Sequence, residues 1–234
     1  MKQNFQNKKE LVRDVFNKVY NKYDLMNDFM SMGIHRLWKK DMINWMSPYP
    51  KKKLIDVACG TGDIGKLFLE NTNYKGKVLF VDPNSKMIKK GIKDLKKDKN
   101  ISWKKGTAEK IPAPSNYFDY YCISFGLRNT ININKSLKEA NRVLKPGGRF
   151  FCLEFSKVQN IYFDKLYKEY SKLIPEIGKI IVGDKKPYEY LVSSIENFIN
   201  QDELIELMKK NYFVKCEYRN LSGGIVAIHT GWKI

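Results

Sequence analysis

Residues 53–63 read Lys-Leu-Ile-Asp-Val-Ala-Cys-Gly-Thr-Gly-Asp, and they restrict the chain to few architectures. Leu54, Ile55, Val57 and Ala58 form an apolar run long enough for one buried strand. Gly60 and Gly62 follow at once. They permit a tight turn and the close approach of a ligand to the backbone. Ile64, Leu67 and Phe68 then recur at helical spacing. A strand, a glycine turn and a helix in that order predict the entry to a doubly wound α/β domain, with its ligand at the carboxyl end of the first strand.

Gly60, Gly62 and Gly65 also spell G-x-G-x-x-G, a weak pointer to a dinucleotide. The charges argue against that reading. Asp56 ends the strand and Asp63 opens the helix, so a pyrophosphate there would face two carboxylates. The same carboxylates suit a ligand with an ammonium, a sulfonium and no phosphate, as in S-adenosylmethionine. Asp63 alone also suits the positive end of any helix.

Alternating apolar and amphipathic segments extend the pattern. A second strand over 77–81 ends in Asp82, 20 residues past Gly62, where a carboxylate can accept both hydroxyls of a ribose. That role serves NAD equally well. Met87, Ile88 and Ile92 continue as a helix, residues 101–104 as a third strand, and Gly106, Thr107, Ala108 and Glu109 lie where an adenine edge would meet the next loop. Residues 117–124 predict a fourth strand ending in Phe-Gly-Leu-Arg-Asn at 125–129. A helix over 132–144, a sharp turn at Lys-Pro-Gly-Gly (145–148) and a fifth strand over 149–155 follow. Residues 156–200 exceed a simple connection and predict a substrate-side insertion. A helix over 201–210 and two strands near 212–219 and 224–231 end the chain, giving a mostly parallel sheet with an antiparallel edge.

Before the first strand, Leu11, Val12, Val15, Phe16 and Val19 recur at helical spacing, and Leu37, Ile43 and Met46 extend an apolar face up to Pro48 and Pro50. Residues 1–50 are therefore expected to form a helical arm on a domain spanning 51–234. Tyr23, Asp24, Asn27 and His35 within the arm suit a lid over a ligand; plain packing is the simpler role.

The 234 residues suit one α/β domain with a modest extension. The formal net charge of +18 admits a nucleic-acid or anionic-membrane partner, although its even spread of lysine also fits biased composition. Cys59, Cys122, Cys152 and Cys216 form no Cys-x-x-Cys pair and read as small apolar residues of a reducing compartment, without zinc or disulfides. No apolar stretch is long enough for a membrane span, and no secretory signal is visible.

With these motifs in place, the chain resembles the UbiE/MenG family of C-methyltransferases of ubiquinone and menaquinone biosynthesis over roughly residues 10–234. The most specific pieces are Tyr-Asp-Leu-Met-Asn-Asp at 23–28, Gly-Ile-His-Arg-Leu-Trp at 33–38, Ser-Phe-Gly-Leu-Arg-Asn at 124–129, Leu-Glu-Phe-Ser-Lys at 153–157, and residues 222–232. Generic methyltransferases share only the 56–63 loop, Asp82 and residues 145–148. Cys59 replaces a more usual glycine, and Thr107 stands where Asn or Asp is common.

The resemblance implies a class I adenosylmethionine-dependent methyltransferase fold, Rossmann-like, with seven strands and an antiparallel C-terminal hairpin. It implies that S-adenosylmethionine meets Thr61, Asp82, Thr107, Ala108 and Ser124, beside the Asp56, Gly60, Gly62 and Met87 read from the motifs. The substrate implied is a polyprenyl benzoquinol or a demethylmenaquinol. The 153–157 and 181–195 segments resemble ubiquinone-pathway members more closely. Methyl transfer to a ring carbon needs a phenolate beside that carbon. Arg128 is the expected cation for it and Asn129 the hydrogen-bond donor, with Tyr23, Asn27 and His35 as substrate or lid residues. No metal is called for. A bilayer-dwelling substrate implies a cytoplasmic protein held at the inner membrane face, acting alone, as a homodimer or in a quinone-biosynthesis complex. Two other readings are a nucleic-acid methyltransferase and a non-catalytic pathway scaffold. The first lacks the Asp/Asn-Pro-Pro-Tyr/Phe motif after strand four. The second does not explain intact Asp56, Gly60, Gly62, Asp82 and Arg128.

Overall fold

Apolar runs flanked by turn residues become strands, and amphipathic runs become the helices that cover them. In the computed structural model, which describes Asp28, Ser31 and residues 33–95, 99–159 and 161–234, the strands are β1 (Lys53–Val57), β2 (Lys77–Asp82), β3 (Ile101–Lys105), β4 (Phe118–Ser124), β5 (Leu144–Phe155), β6 (Phe213–Leu221) and β7 (Val226–Lys233). They form one sheet in the order β3-β2-β1-β4-β5-β7-β6. The first five strands run parallel, and β7 is antiparallel to both neighbours. The mixed seven-stranded sheet expected from the sequence is therefore present. The last hairpin is folded back, so that β7 lies inside and β6 takes the edge.

The helices are α1 (His35–Met46), α2 (Asp63–Asn71), α3 (Ser85–Asp94), α4 (Ile133–Val143), α5 (Ile161–Val182), α6 (Lys186–Glu196) and α7 (Gln201–Lys210). Strand alternation sorts the core into two layers. Leu54, Phe80, Tyr120, Cys122, Phe151 and Leu153 face one side, with Trp38 and Met42 of α1, Phe68 of α2 and Tyr188 of α6. Ile55, Val57, Val81, Tyr121, Phe150 and Cys152 face the other, with Leu137 of α4 and Leu204 and Met208 of α7. Three helix starts carry their own caps. Asn84 accepts from the Lys86 and Met87 amides, Asn132 from Lys135, and Asn200 forms a reciprocal capping box with Glu203.

Two local expectations are refined. The 145–148 segment is a bulge inside β5 rather than a turn before it. Pairing with β4 jumps from Phe118–Leu144 to Tyr120–Arg149, with Gly147 at φ 75°. The 156–200 segment is the helix pair α5 and α6, and α6 packs on the turn Leu127–Asn129 that follows β4. The expected helix at 8–20, with Tyr23, Asn27 and the rest of the arm before Asp28, lies outside the described residues.

Gly65 shows how closely α2 sits on the sheet. A Cβ there would lie 2.2 Å from Phe80 Cε1, and Phe80 is fully buried and stacked on Trp103 at 4.2 Å. Gly65→Ala gains about 1 kcal/mol of helix propensity but overpacks a filled site at about 1–3 kcal/mol. A net destabilisation of up to about 2 kcal/mol is expected in urea unfolding. A stabilised variant would mean that Phe80 has room to move.

Candidate active site

The carboxyl ends of β1, β2, β3 and β4 lie side by side, and the loops leaving β1 and β4 meet in one cleft. β1 passes through Ala58 (φ 52°) to Gly60 (φ 57°) and Gly62 (φ 94°), and β4 passes through Phe125 (φ 54°). Left-handed backbone at non-glycine Ala58 and Phe125 is strained and is held by its surroundings. The two loops are in close contact, since a Cβ on Gly126 would lie 2.6 Å from Ala58 Cβ. The three motif glycines divide the work. A Cβ on Gly60 would meet nothing within 4 Å, so the backbone there is open to a ligand. Gly62 and Gly65 instead make room for Phe80 and Trp103.

The cleft is lined by Lys39, Asp56, Ala58, Cys59, Gly60, Thr61, Asp63, Ile64, Ser124 and Phe125. It thus gathers Asp56, Gly60, Thr61 and Ser124 from the sequence-derived set. Asp82, at the end of β2, accepts from the Gly60 amide at 2.9 Å and the Asn84 amide at 2.7 Å, which locks it to the same loop. The Gly106 amide donates to the Asp82 carbonyl at 3.2 Å and brings Thr107 and buried Ala108 alongside. Met87 is buried in the first turn of α3, just beyond Asp82.

Burial changes these acids. It raises Asp56 to about 7, although Cys122 Sγ and the Gly65 amide donate to its carboxylate. It raises Asp82 to about 6 against the lowering effect of its two amide donors. Burial also pushes Asp63 upward, but the Lys39 ammonium, 2.6 Å away, outweighs it and holds Asp63 below the ordinary value. The cleft is therefore less negative than Asp56 and Asp63 suggest in the sequence. Burial raises the pKa of one acid, and the other is paired.

Arg128 departs furthest from its expected surroundings. It is expected as the cation beside the phenolate; its Nη1 donates to Glu154 Oε1 at 2.6 Å and to the Phe125 carbonyl at 2.8 Å, with both charged side chains at most 2% exposed. Its Nε donates to Ser194 Oγ at 3.3 Å, and Glu154 Oε2 accepts from the Arg128 amide at 3.2 Å. The pair is neutral overall and braces the turn after β4. Asn129 is half-buried beside it. Its Oδ1 accepts from Tyr190 Oη of α6 at 3.0 Å, and its Nδ2 donates to the Phe125 carbonyl at 3.3 Å.

His35 is buried. Its Nε2 is 3.0 Å from Asp28 Oδ1, and its Nδ1 has no hydrogen-bond partner. Burial, then the charge of Lys39 one turn along α1, pushes its pKa below the ordinary value. His35 does not line the cleft, but Lys39 does. Sequence reasoning missed Lys39, Glu154, Tyr190 and Ser194. Glu154, Tyr190 and Ser194 lie within the 153–157 and 181–195 segments that carry the resemblance, without being singled out there; Lys39 left no signal.

An adenosylmethionine fits these residues. Asp82 is fixed at the glycine loop by the Gly60 amide at 2.9 Å, Gly60 leaves the backbone open, and Ser124 Oγ is buried without a hydrogen-bond partner. A ligand polar group can satisfy that hydroxyl, and an unsatisfied buried one is costly. Among the described residues no cluster of three or more His, Cys, Asp or Glu could hold a metal.

Comparison with solved structures returns the same architecture. A SAM-dependent methyltransferase from Thermotoga maritima aligns with TM-score 0.68 at 19% identity, over 95% of this chain and all of that one. A Haemonchus contortus phosphoethanolamine N-methyltransferase, solved with S-adenosyl-L-methionine, aligns with TM-score 0.64 at 14% identity, over 83% of this chain and 52% of that one. Curated relatives are closer. A Rickettsia akari protein named ubiquinone/menaquinone biosynthesis C-methyltransferase UbiE is 48% identical, over all of this chain and 96% of its own length. The Brucella abortus protein of the same name is 46% identical, over 97% of this chain and 87% of its own. The model of the ubiE/COQ5 methyltransferase family matches residues 2–233, and on that match the chain belongs to the ubiE/COQ5 methyltransferase family.

Proposed function

We propose that the protein uses S-adenosylmethionine to methylate a ring carbon of a polyprenyl benzoquinol, a demethylmenaquinol or both, in respiratory quinone biosynthesis. The observation that carries this reading is the match to relatives of that name along the whole chain. The cofactor part of this reading has independent support in Asp82, Gly60 and the unpartnered Ser124 hydroxyl.

Bound adenosylmethionine supplies an electrophilic methyl on a sulfonium that is already a good leaving group. The protein has to align a nucleophilic carbon with it, and near-attack positioning is worth several kcal/mol. A phenol titrates near 10, so donors that favour the phenolate make the ring carbon nucleophilic. Asn129 is placed for that role. Tyr190 holds its carbonyl oxygen, which fixes the amide so that an Nδ2 proton remains to donate. Arg128 acts with Glu154 as one unit that sets this turn, and its charge reaches the phenolate already compensated. Trp38, Phe125 and Phe155 form an aromatic wall beside the turn, with Phe125 and Phe155 5.0 Å apart. Trp38 is held from behind by Ser222 Oγ at 2.9 Å. In this reading α5 and α6 form the substrate-side insertion, and α1 borders the cleft through Lys39.

The proposal places the enzyme at an anionic membrane face. The net charge of +18 supports this, because basic residues near anionic lipid gain about 1 kcal/mol each. At the start of α1, Ile34 just before the helix and Leu37 within it are exposed apolar groups near exposed Arg36 and Lys40. Among the described residues no helix is long and apolar enough to cross a membrane. The test is mass-spectrometric detection of methyl transfer to a polyprenyl quinol embedded in vesicles. The reduced quinol is expected to be methylated and the oxidised quinone not, faster on anionic than on zwitterionic vesicles at low salt. Methylation of polynucleotide instead would overturn the substrate. Equal rates on both vesicle types would overturn the membrane placement.

A further inference from the structure

The cleft occupies one end of the sheet. The opposite end, at the amino ends of β1, β2, β4 and β6, has no part in it. Among the described residues five tyrosines are exposed, and four of them, Tyr49, Tyr74, Tyr117 and Tyr212, stand just before those strands. Contacts join their loops into one surface. The Lys51 amide donates to the Lys75 carbonyl at 3.1 Å, which ties the Tyr49 loop to the Tyr74 loop. Lys53 Nζ lies 3.7 Å from the centre of the Tyr117 ring. Lys233 Nζ donates to Asn116 Oδ1 and to the Asn141 carbonyl, each at 2.7 Å, and Asn141 Nδ2 donates to the Tyr212 carbonyl at 3.3 Å. Exposed Lys51, Lys52, Lys75 and Lys77 stand among the rings, with Lys209 and Lys210 beside Tyr212. Asp119 is already held there by Lys52 and Lys145, each at 3.2 Å.

The carboxyl ends of α2 and α7 lie on this surface, and their dipoles favour nearby lysines. They do not explain the tyrosines. Tyr74 follows α2 at φ 57°, and Tyr212 follows α7 at φ 66°. Glycine is the usual residue in left-handed backbone past a helix, and a bulky residue there is strained. The rings gain little packing in return, since Tyr74 is 53% and Tyr212 76% exposed.

We propose that this end of the sheet is a docking surface for an acidic protein partner, with the tyrosine rings as contacts and the lysines as a basic rim. Tyrosine supplies a large contact area at low entropy cost, and the rim attracts a partner of opposite charge. A second copy of this chain does not fit, because a self-complementary contact would set two basic surfaces against each other. Single-stranded nucleic acid is held in a groove with stacking rings, whereas these rings stand out in solvent. A bilayer would meet the cleft end instead; that exclusion rests on the quinol reading.

Fluorescence anisotropy on the full chain tests the surface with three labelled probes: a random glutamate–tyrosine copolymer, polyglutamate, and oligothymidylate of matched charge. Flotation with anionic vesicles is the fourth arm. The double variant Tyr74→Gly, Tyr212→Gly removes two rings and relieves their backbone, so it should resist urea at least as well as wild type. Wild type is expected to bind the copolymer more tightly than polyglutamate. The double variant should bind the copolymer roughly tenfold more weakly and lose that preference. Its flotation and its adenosylmethionine affinity should match wild type. Wild type that does not bind the copolymer, or binds oligothymidylate more tightly, overturns the protein partner even if the variant does not fold. A folded variant with undiminished copolymer binding overturns the surface. A variant that loses flotation makes this end the lipid contact and overturns the proposal too. Absence of methyl transfer to a quinol, with copolymer binding intact, would count against the functional reading alone.

Discussion

Arg128→Met is expected to lower the unfolding free energy by about 3–5 kcal/mol, because it strands the Glu154 carboxylate in the core. Both side chains of the pair are at most 2% exposed, so water cannot take over the lost partner. For a protein whose total stability is about 5–15 kcal/mol, that is a large share. The double variant Arg128→Met, Glu154→Gln should recover most of the loss, since it removes the stranded charge as well as its partner. Urea unfolding of the wild type, the single variant and the double variant measures this directly. A single-variant loss under about 1 kcal/mol would show that the pair is solvated, since exposed pairs contribute no more than that. The folded double variant also tests the proposed role in catalysis. If the pair positions Asn129, turnover at saturating cofactor should fall while cofactor affinity stays near wild type.

Asp82→Ala should weaken S-adenosylhomocysteine by about 1.5–3 kcal/mol, or roughly ten- to a hundredfold, through loss of a charged acceptor for the ribose hydroxyls. It also releases the Gly60 and Asn84 amides, which are the struts of the glycine loop. The same carboxylate predicts a pH dependence. Burial raises its pKa to about 6 from the ordinary 3.8. A raised acid stabilises the folded state fully below about pH 4, and that contribution is lost as pH rises through about 6. Binding runs the other way. Accepting two hydroxyls favours the ionised form, so the cofactor expels the proton, and affinity should fall as pH drops through about 6. Calorimetry in buffers of different ionisation enthalpy would detect the released proton. Asp82→Asn should abolish this dependence. An affinity flat from pH 5 to 8 in wild type would remove Asp82 from the ribose subsite.

Much of the architecture follows from neighbours in sequence. The strand at 53–57, the glycine turn and the helix from Asp63 are set by hydrophobic period and backbone freedom, which act over a few residues. The same holds for β2 ending in Asp82, for β4 and for α7, whose bounds of 201–210 are marked by a capping box and two terminal lysines. The mostly parallel sheet follows in turn, because alternating β and α units leave few other topologies. Local pattern reached its limit at 145–148, where Pro146 and two glycines mark irregular backbone but do not say whether it ends a strand or bulges one.

Charge pairing was not legible. Asp56 and Asp63 read as two acids in one loop, yet Asp63 is paired with Lys39, 24 residues earlier, and burial raises the pKa of Asp56. Arg128 reads as a cation at the end of β4, yet it is paired with Glu154, 26 residues later and one strand over. Tyr190, 61 residues from Asn129, orients that amide. The strand order that brings β7 between β5 and β6 also lies beyond local pattern. The sequence by itself determined the elements, the mostly parallel sheet and the end of it where a ligand binds, because hydrophobic period and glycine conformation are properties of short segments. Only the tertiary structure decided which charges in that site are compensated and which acids hold protons, because ion pairing and desolvation depend on distance in space and on access to water, and neither is written in the order of residues.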